Sequence, residues 1–205
     1  MNKLSKVFAL LLILSANILF VYFSFLKGNN TICEENYFLE NLQAILVATS
    51  GLVFLAYLVH MKKPYSFILW SLALLCFSFL LHELDVEKHD LPKFLVLLGS
   101  GAGRNIMISA LWAFVAVQLL RDFSRMKKVI RNYLLSYSGI LLIICGGLLI
   151  TGSLFDHKVI VIDVFFRRCY EELFELNGYL MLFGAALTSR SSLRKISNPS
   201  PPPYP

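Results

Sequence analysis

Hydrophobic residues along this chain neither alternate nor recur with a helical period. They fill whole segments, and short polar stretches separate the segments. Six such runs stand out, at 7–26, 42–60, 66–82, 105–120, 133–153 and about 169–188. A hydrocarbon core about 30 Å thick is crossed by about 20 residues of α-helix. A backbone facing lipid must satisfy its own hydrogen bonds, which selects helices for an open chain. The pattern therefore predicts an all-α fold, a polytopic transmembrane helix bundle of about six spans in one domain, 1–196. The fourth run is short, which tilted neighbours or local bilayer thinning can accommodate. The sixth carries acids in its first two turns.

Composition sharpens this reading. Hydrophobic residues make up 57% of the chain and charged residues 16%, against about 25% charged in soluble domains, and mean hydropathy is +0.67. Lys3 and Lys6 followed by an apolar run resemble a signal peptide. A signal core is only about 7–15 residues long, however, and ends at a small-x-small site. The run 7–26 is longer and ends in Phe-Ser-Phe-Leu, so it reads as an uncleaved anchor helix. The segment 197–205 holds five prolines and little to bury, and is expected to be a disordered cytoplasmic tail.

Charge sets the expected orientation. The stretches around 3–6, 62–63, 121–131 and 190–195 hold 12 Lys and Arg against one acid, Asp122. The other connections hold seven cations and the remaining 12 acids. The two sides are net +11 and −5, within a chain of net +6. Basic short loops stay inside. With an even number of spans, both termini are then cytoplasmic, and the expected location is the bacterial inner (plasma) membrane. This topology accounts for the pI of 9.2 without nucleic acid as a partner. In the basic stretch 121–131, Arg121, Arg125 and Lys128 share one helical face, while Phe123, Met126, Val129 and Ile130 partly share another. That pattern suits a helix end lying on anionic headgroups.

Candidate chemistry gathers at the acidic outer side. His82-Glu-Leu-Asp85 ends the third run, so Glu83 and Asp85 lie near the surface. At the start of the sixth run, Arg168, Glu172 and Glu175 fall on one helical stripe. A carboxylate inside a span costs about 2.5–3.5 kcal/mol or more and usually faces the bundle interior with a partner. Glu172, Glu175, Asp85 and Glu83 are accordingly the candidate acid/base groups. Their alternative role is interfacial ion pairing, with Arg104 or Arg168 as partners. No His-x-x-x-His spacing supports a metal, and no cofactor is expected.

Between the third and fourth runs, Asp90 and Pro92 can open a short interfacial or re-entrant helix. Gly99-Ser100-Gly101-Ala102-Gly103 follows, and Arg104 comes next. Alternating glycines can turn successive N–H groups toward one anion, and a helix N-terminus adds partial positive charge. Gly99, Ser100, Gly101, Gly103, Arg104 and Arg168 are therefore the candidate anion-binding set. The spacing is neither a dinucleotide fingerprint nor a P-loop. Cys33 and Cys169 both fall on the outer side, where a bridge or two free thiols are both open readings. Cys76 and Cys145 fall within apolar runs.

Three functions fit these residues. The first is a site that binds or acts on an anionic lipid headgroup or lipid-linked substrate, with the bilayer itself as the other partner. The second is a structural or accessory membrane subunit. The third is a small proton- or ion-coupled transporter using Glu175, for which Asn177, Gln118, Ser109, Thr49 and Ser50 are the main residues that could continue a polar path. The sequence leaves oligomeric state open.

Overall fold

A computed structural model describes residues 38–83, 100–160 and 162–197, together with Asn17, Ile18, Tyr22 and Val96. The described residues form six helices and no strand. These are α1 (Phe38–Leu58), α2 (Tyr65–Glu83), α3 (Gly101–Arg121), α4 (Phe123–Leu134), α5 (Tyr137–Asp156) and α6 (Val164–Ser197). Four of them, α1, α2, α3 and α5, are long and apolar enough to cross a membrane. Apart from Asn17, Ile18, Tyr22 and Val96, the first apolar run and the connection 84–99 lie outside the described residues, as does the proline-rich tail.

Three boundaries differ from the sequence expectation, each for a physical reason. The fourth run is not short. The glycine stretch expected as loop is largely helical from Gly101, so α3 has 21 residues, about 32 Å at ~1.5 Å per residue. The fifth run does not begin at 133. The chain breaks at Leu135–Ser136, and Ser136 caps α5 by accepting a hydrogen bond from the Gly139 N–H at 3.3 Å. The basic stretch before it is a separate 12-residue helix, α4. Its apolar side buries Met126 and Tyr133, while Arg125, Lys127, Lys128 and Arg131 stay exposed. Third, α6 runs unbroken through its acids for 34 residues, about 51 Å. It is long enough to cross but is not among the four most apolar helices.

The packing explains why a polar helix is tolerated. α6 forms the largest interface, with α5, and also packs on α1; α1 in turn pairs with α2. Leu176, Leu182, Ala185, Ala186 and Leu193 of α6 are almost fully buried. Close approach between α5 and α6 needs small residues, since lipid offers no hydrophobic drive between helices. A Cβ added at Gly178 would come within 2.9 Å of Leu149 Cδ2. By contrast, α3 lies at the edge. It buries only Val115 and leaves Ile106, Phe114, Val117 and Leu120 more than half exposed. Two polar ties hold it to α2: the Trp112 indole donates to Ser78 Oγ at 3.1 Å, and Arg104 reaches the Leu81 carbonyl.

Hydroxyls inside the helices are satisfied locally. Thr49, Ser50, Ser71, Ser78 and Thr151 each donate to the carbonyl four residues earlier. Such back-bonding hides the donor from lipid at little cost.

Candidate functional site

The N-terminal half of α6 places Glu172, Glu175 and Tyr179 at i, i+3 and i+7, on one face. That face meets α1 and α2. Gln43 of α1, which has no exposed surface, donates from Nε2 to Glu172 Oε2 at 2.9 Å and to the Glu172 carbonyl at 3.3 Å. The Tyr179 phenol donates to Glu83 Oε1 at 2.6 Å, bridging α6 to the C-terminal residue of α2. Phe79 packs its ring edge-on against Tyr179, with centroids 5.8 Å apart. Glu175 sits beside α5: a Cβ at Gly152 would lie 3.2 Å from Glu175 Cγ. The glycine makes room for the carboxylate's stem.

Glu83, Glu172 and Glu175 are close enough for their charges to repel one another. They are not close enough to chelate, and no group of three or more acids, His or Cys among the described residues can hold a metal. The hydrogen bonds they do accept come from a neutral amide and a phenol. Glu175 makes none with a described residue. Gln43 Oε1 is buried with no hydrogen-bond partner among the described residues. An orphaned buried acceptor costs about 1–3 kcal/mol.

Of the expected acid/base groups, the structure brings Glu83, Glu172 and Glu175 together. Asp85 lies outside the described residues, as does Gly99 of the anion set. Ser100 is the N-cap of α3 in an extended conformation, yet its hydroxyl turns back to the Val96 carbonyl at 2.7 Å and caps nothing. Gly101 takes a left-handed φ of 49°, which favours glycine. It starts the first turn of α3, which also contains Gly103. In place of an alternating nest, the described part of this stretch is thus one left-handed residue leading into a helix. Arg104 donates from Nη1 to the Leu81 carbonyl at 3.0 Å. There it neutralises the negative end of α2, and its other donors take no acceptor among the described residues. Arg168 is exposed one turn outward of Glu172.

Among the described residues, neither Glu83 nor Glu172 takes an arginine as its hydrogen-bond partner. Cys169 is disulfide-bonded; Cys33 lies outside the described residues, and Cys76 and Cys145 are free and buried.

Sequence reasoning passed over Gln43, Tyr179 and a second polar knot. A signal for Gln43 existed, a lone amide inside an apolar run. Tyr179 could have been found from its register with Glu172 and Glu175. Asn17 and Asn177 donate to each other's side-chain oxygens at 2.8 Å in both directions. Nearer the basic end, Tyr133, Ser138 and Ser189 form a buried triangle of hydroxyls with sides of 2.9, 2.7 and 2.8 Å. Both serines also reach the Ala185 carbonyl, at 2.8 and 2.7 Å. This triangle locks α4, α5 and α6 together. Between it and the outer acids, α6 presents the mainly apolar stretch Leu180–Leu187, about 12 Å long.

No known protein family, characterised protein or solved structure matches this chain. Four membrane-length apolar helices around a polar central helix make it compatible with a membrane protein, and its function has to be read from the geometry alone.

Proposed function

We propose that this chain is a six-span membrane protein with both termini cytoplasmic, whose outer half binds the donor-bearing headgroup of an anionic lipid or lipid-linked substrate. The carrying observation is the acceptor-rich group made by Glu83, Glu172, Glu175 and Gln43 Oε1. Two of the carboxylates are held by neutral donors, and Gln43 Oε1 and Glu175 are left over. Hydroxyl or ammonium groups of a headgroup suit such acceptors. The anionic part of the same headgroup would fall to the first turn of α3, with Gly101 and Gly103, and to Arg104, with Arg168 on the neighbouring turn of α6.

Several observations support the topology. The exposed cations of α4 and of the end of α6 gather at one end of the α5–α6 pair. The disulfide-bonded Cys169 is at the other end, and disulfides persist in oxidising compartments. The Asn17–Asn177 amide pair supports a first span packed on α6 rather than a removable leader.

The test is to purify the wild type, Glu175→Gln and Arg104→Ala in mild detergent and identify retained lipids by mass spectrometry. The wild type should retain one headgroup class selectively. Glu175→Gln should lose the selectivity, and Arg104→Ala should lose the anionic members. Identical lipid profiles for all three proteins would remove the reading.

A second reading, an accessory subunit, is favoured by one feature: Glu83–Tyr179 and Glu172–Gln43 are interhelical ties that hold a bundle together whether or not anything binds. It predicts lower thermal stability in Tyr179→Phe with no change in retained lipid. Transport is less well supported, because the Leu180–Leu187 stretch separates the outer acids from the inner hydroxyls.

A further inference from the structure

The inner end of α6 carries a second polar feature, unrelated to the outer acids. A cavity of about 240 Å³ is lined by Tyr57, Leu187, Thr188, Arg190, Ser191 and Arg194. It is slightly smaller than the ~300–1,000 Å³ of small-molecule pockets, a size that suits a headgroup. No acid lines it. Two arginines one helical turn apart do, and the Arg190 guanidinium lies over the Tyr57 ring, 5.8 Å from its centroid. Stacking on the ring fixes the plane of the fork. The Arg190 Nε is buried and has no hydrogen-bond acceptor among the described residues.

The Thr188 and Ser191 hydroxyls of the pocket are already spent on backbone. Thr188 donates to the Gly184 carbonyl at 2.8 Å, and Ser191 to the Thr188 carbonyl at 2.8 Å. Guanidinium N–H groups are what the pocket offers a ligand, and a buried, unmatched one is a costly feature unless an anion takes it.

We propose that this pocket binds a phosphate group, presented by a phospholipid headgroup at the inner leaflet. A phosphate supplies several acceptor oxygens to a planar fork, with Arg194 as second cation. Leu187, 44% exposed beside the pocket, offers an apolar wall along which an acyl chain can continue. Basic pockets between helices on the cytoplasmic side suit anionic headgroups.

The test titrates the detergent-solubilised full-length protein calorimetrically with short-chain phosphatidic acid, and in a separate arm with inorganic phosphate. Saturable binding of the lipid, weakened at least about tenfold in Arg190→Gln, supports the site. Arg190→Lys, which keeps charge but loses the fork, should recover only part of the affinity. Arg194→Gln serves as an independent variant should Arg190→Gln fail to fold, and Tyr57→Phe, which keeps the ring, should bind as the wild type does. Competition by inorganic phosphate at comparable concentration would support the anion site and assign its source to free phosphate; lack of competition would assign it to lipid. Binding that is absent, or unchanged in both arginine variants, overturns the proposal.

Discussion

α6 buries polar groups in both halves, and the halves differ in how those groups are satisfied. Near the basic end, Tyr133, Ser138 and Ser189 close a triangle whose members are neutral, mutually bonded and backed by the Ala185 carbonyl. Near the acidic end, three carboxylates lie near one amide and one phenol, and acceptors remain without a donor among the described residues. A fully satisfied buried network rigidifies, whereas a partly satisfied one stores cost. The contrast makes the triangle a cohesive element, and on the proposed reading it leaves the acidic end for ligand recognition.

The largest expected effect comes from the inner half. A Cβ at Gly139 would collide with the backbone of Tyr133 and Leu134. Backbone cannot repack as a side chain does, so Gly139→Ala should cost more than the ~1–3 kcal/mol of ordinary overpacking. Loss of monodisperse protein on size exclusion is the expected readout, and a wild-type melting temperature would refute the tight α4–α5 corner.

Next comes the triangle itself. Tyr133→Phe removes the member that links α4 to both serines. The cost should lie between the ~0.6 kcal/mol average for interhelical bonds in membranes and the ~3 kcal/mol of an orphaned buried group. A lowered thermal midpoint with unchanged retained lipid would sharpen the comparison.

In the outer half the sign should change. Glu175→Gln replaces a carboxyl group that makes no hydrogen bond with a described residue by an amide of the same shape, so stability should stay within about 0.5 kcal/mol of wild type or rise. If Glu175→Gln melts as early as Tyr133→Phe, the outer acids are structural and the division of labour fails. Smallest of all, Trp112→Phe removes a single tie between α2 and the peripheral α3. It should cost about 0.6 kcal/mol or less, measured as a small shift in the chemical-denaturation midpoint.

Much of the fold was legible beforehand because hydrocarbon imposes a length and a composition on anything that crosses it. α1, α2, α3 and α5 coincide with four of the six runs, to within a few residues at most ends. The boundaries that moved were those where local rules compete. Glycines at 101 and 103 read as loop but sit in a first helical turn, where Gly101 needs its left-handed φ. Tyr133 read as membrane-embedded but belongs to a surface helix that buries one side.

The sequence by itself determined the apolar segments, the separation of acids from cations, and the stripe of Glu172 and Glu175, since these follow from residue type and helical spacing. Tertiary structure alone decided that Gln43 meets Glu172, that Tyr179 meets Glu83, and that Arg104 rests on the end of α2. Those pairings join residues from 23 to 129 positions apart. No spacing rule reaches that far, because which helices become neighbours depends on where small residues let backbones approach, and that is settled only when all of them pack at once.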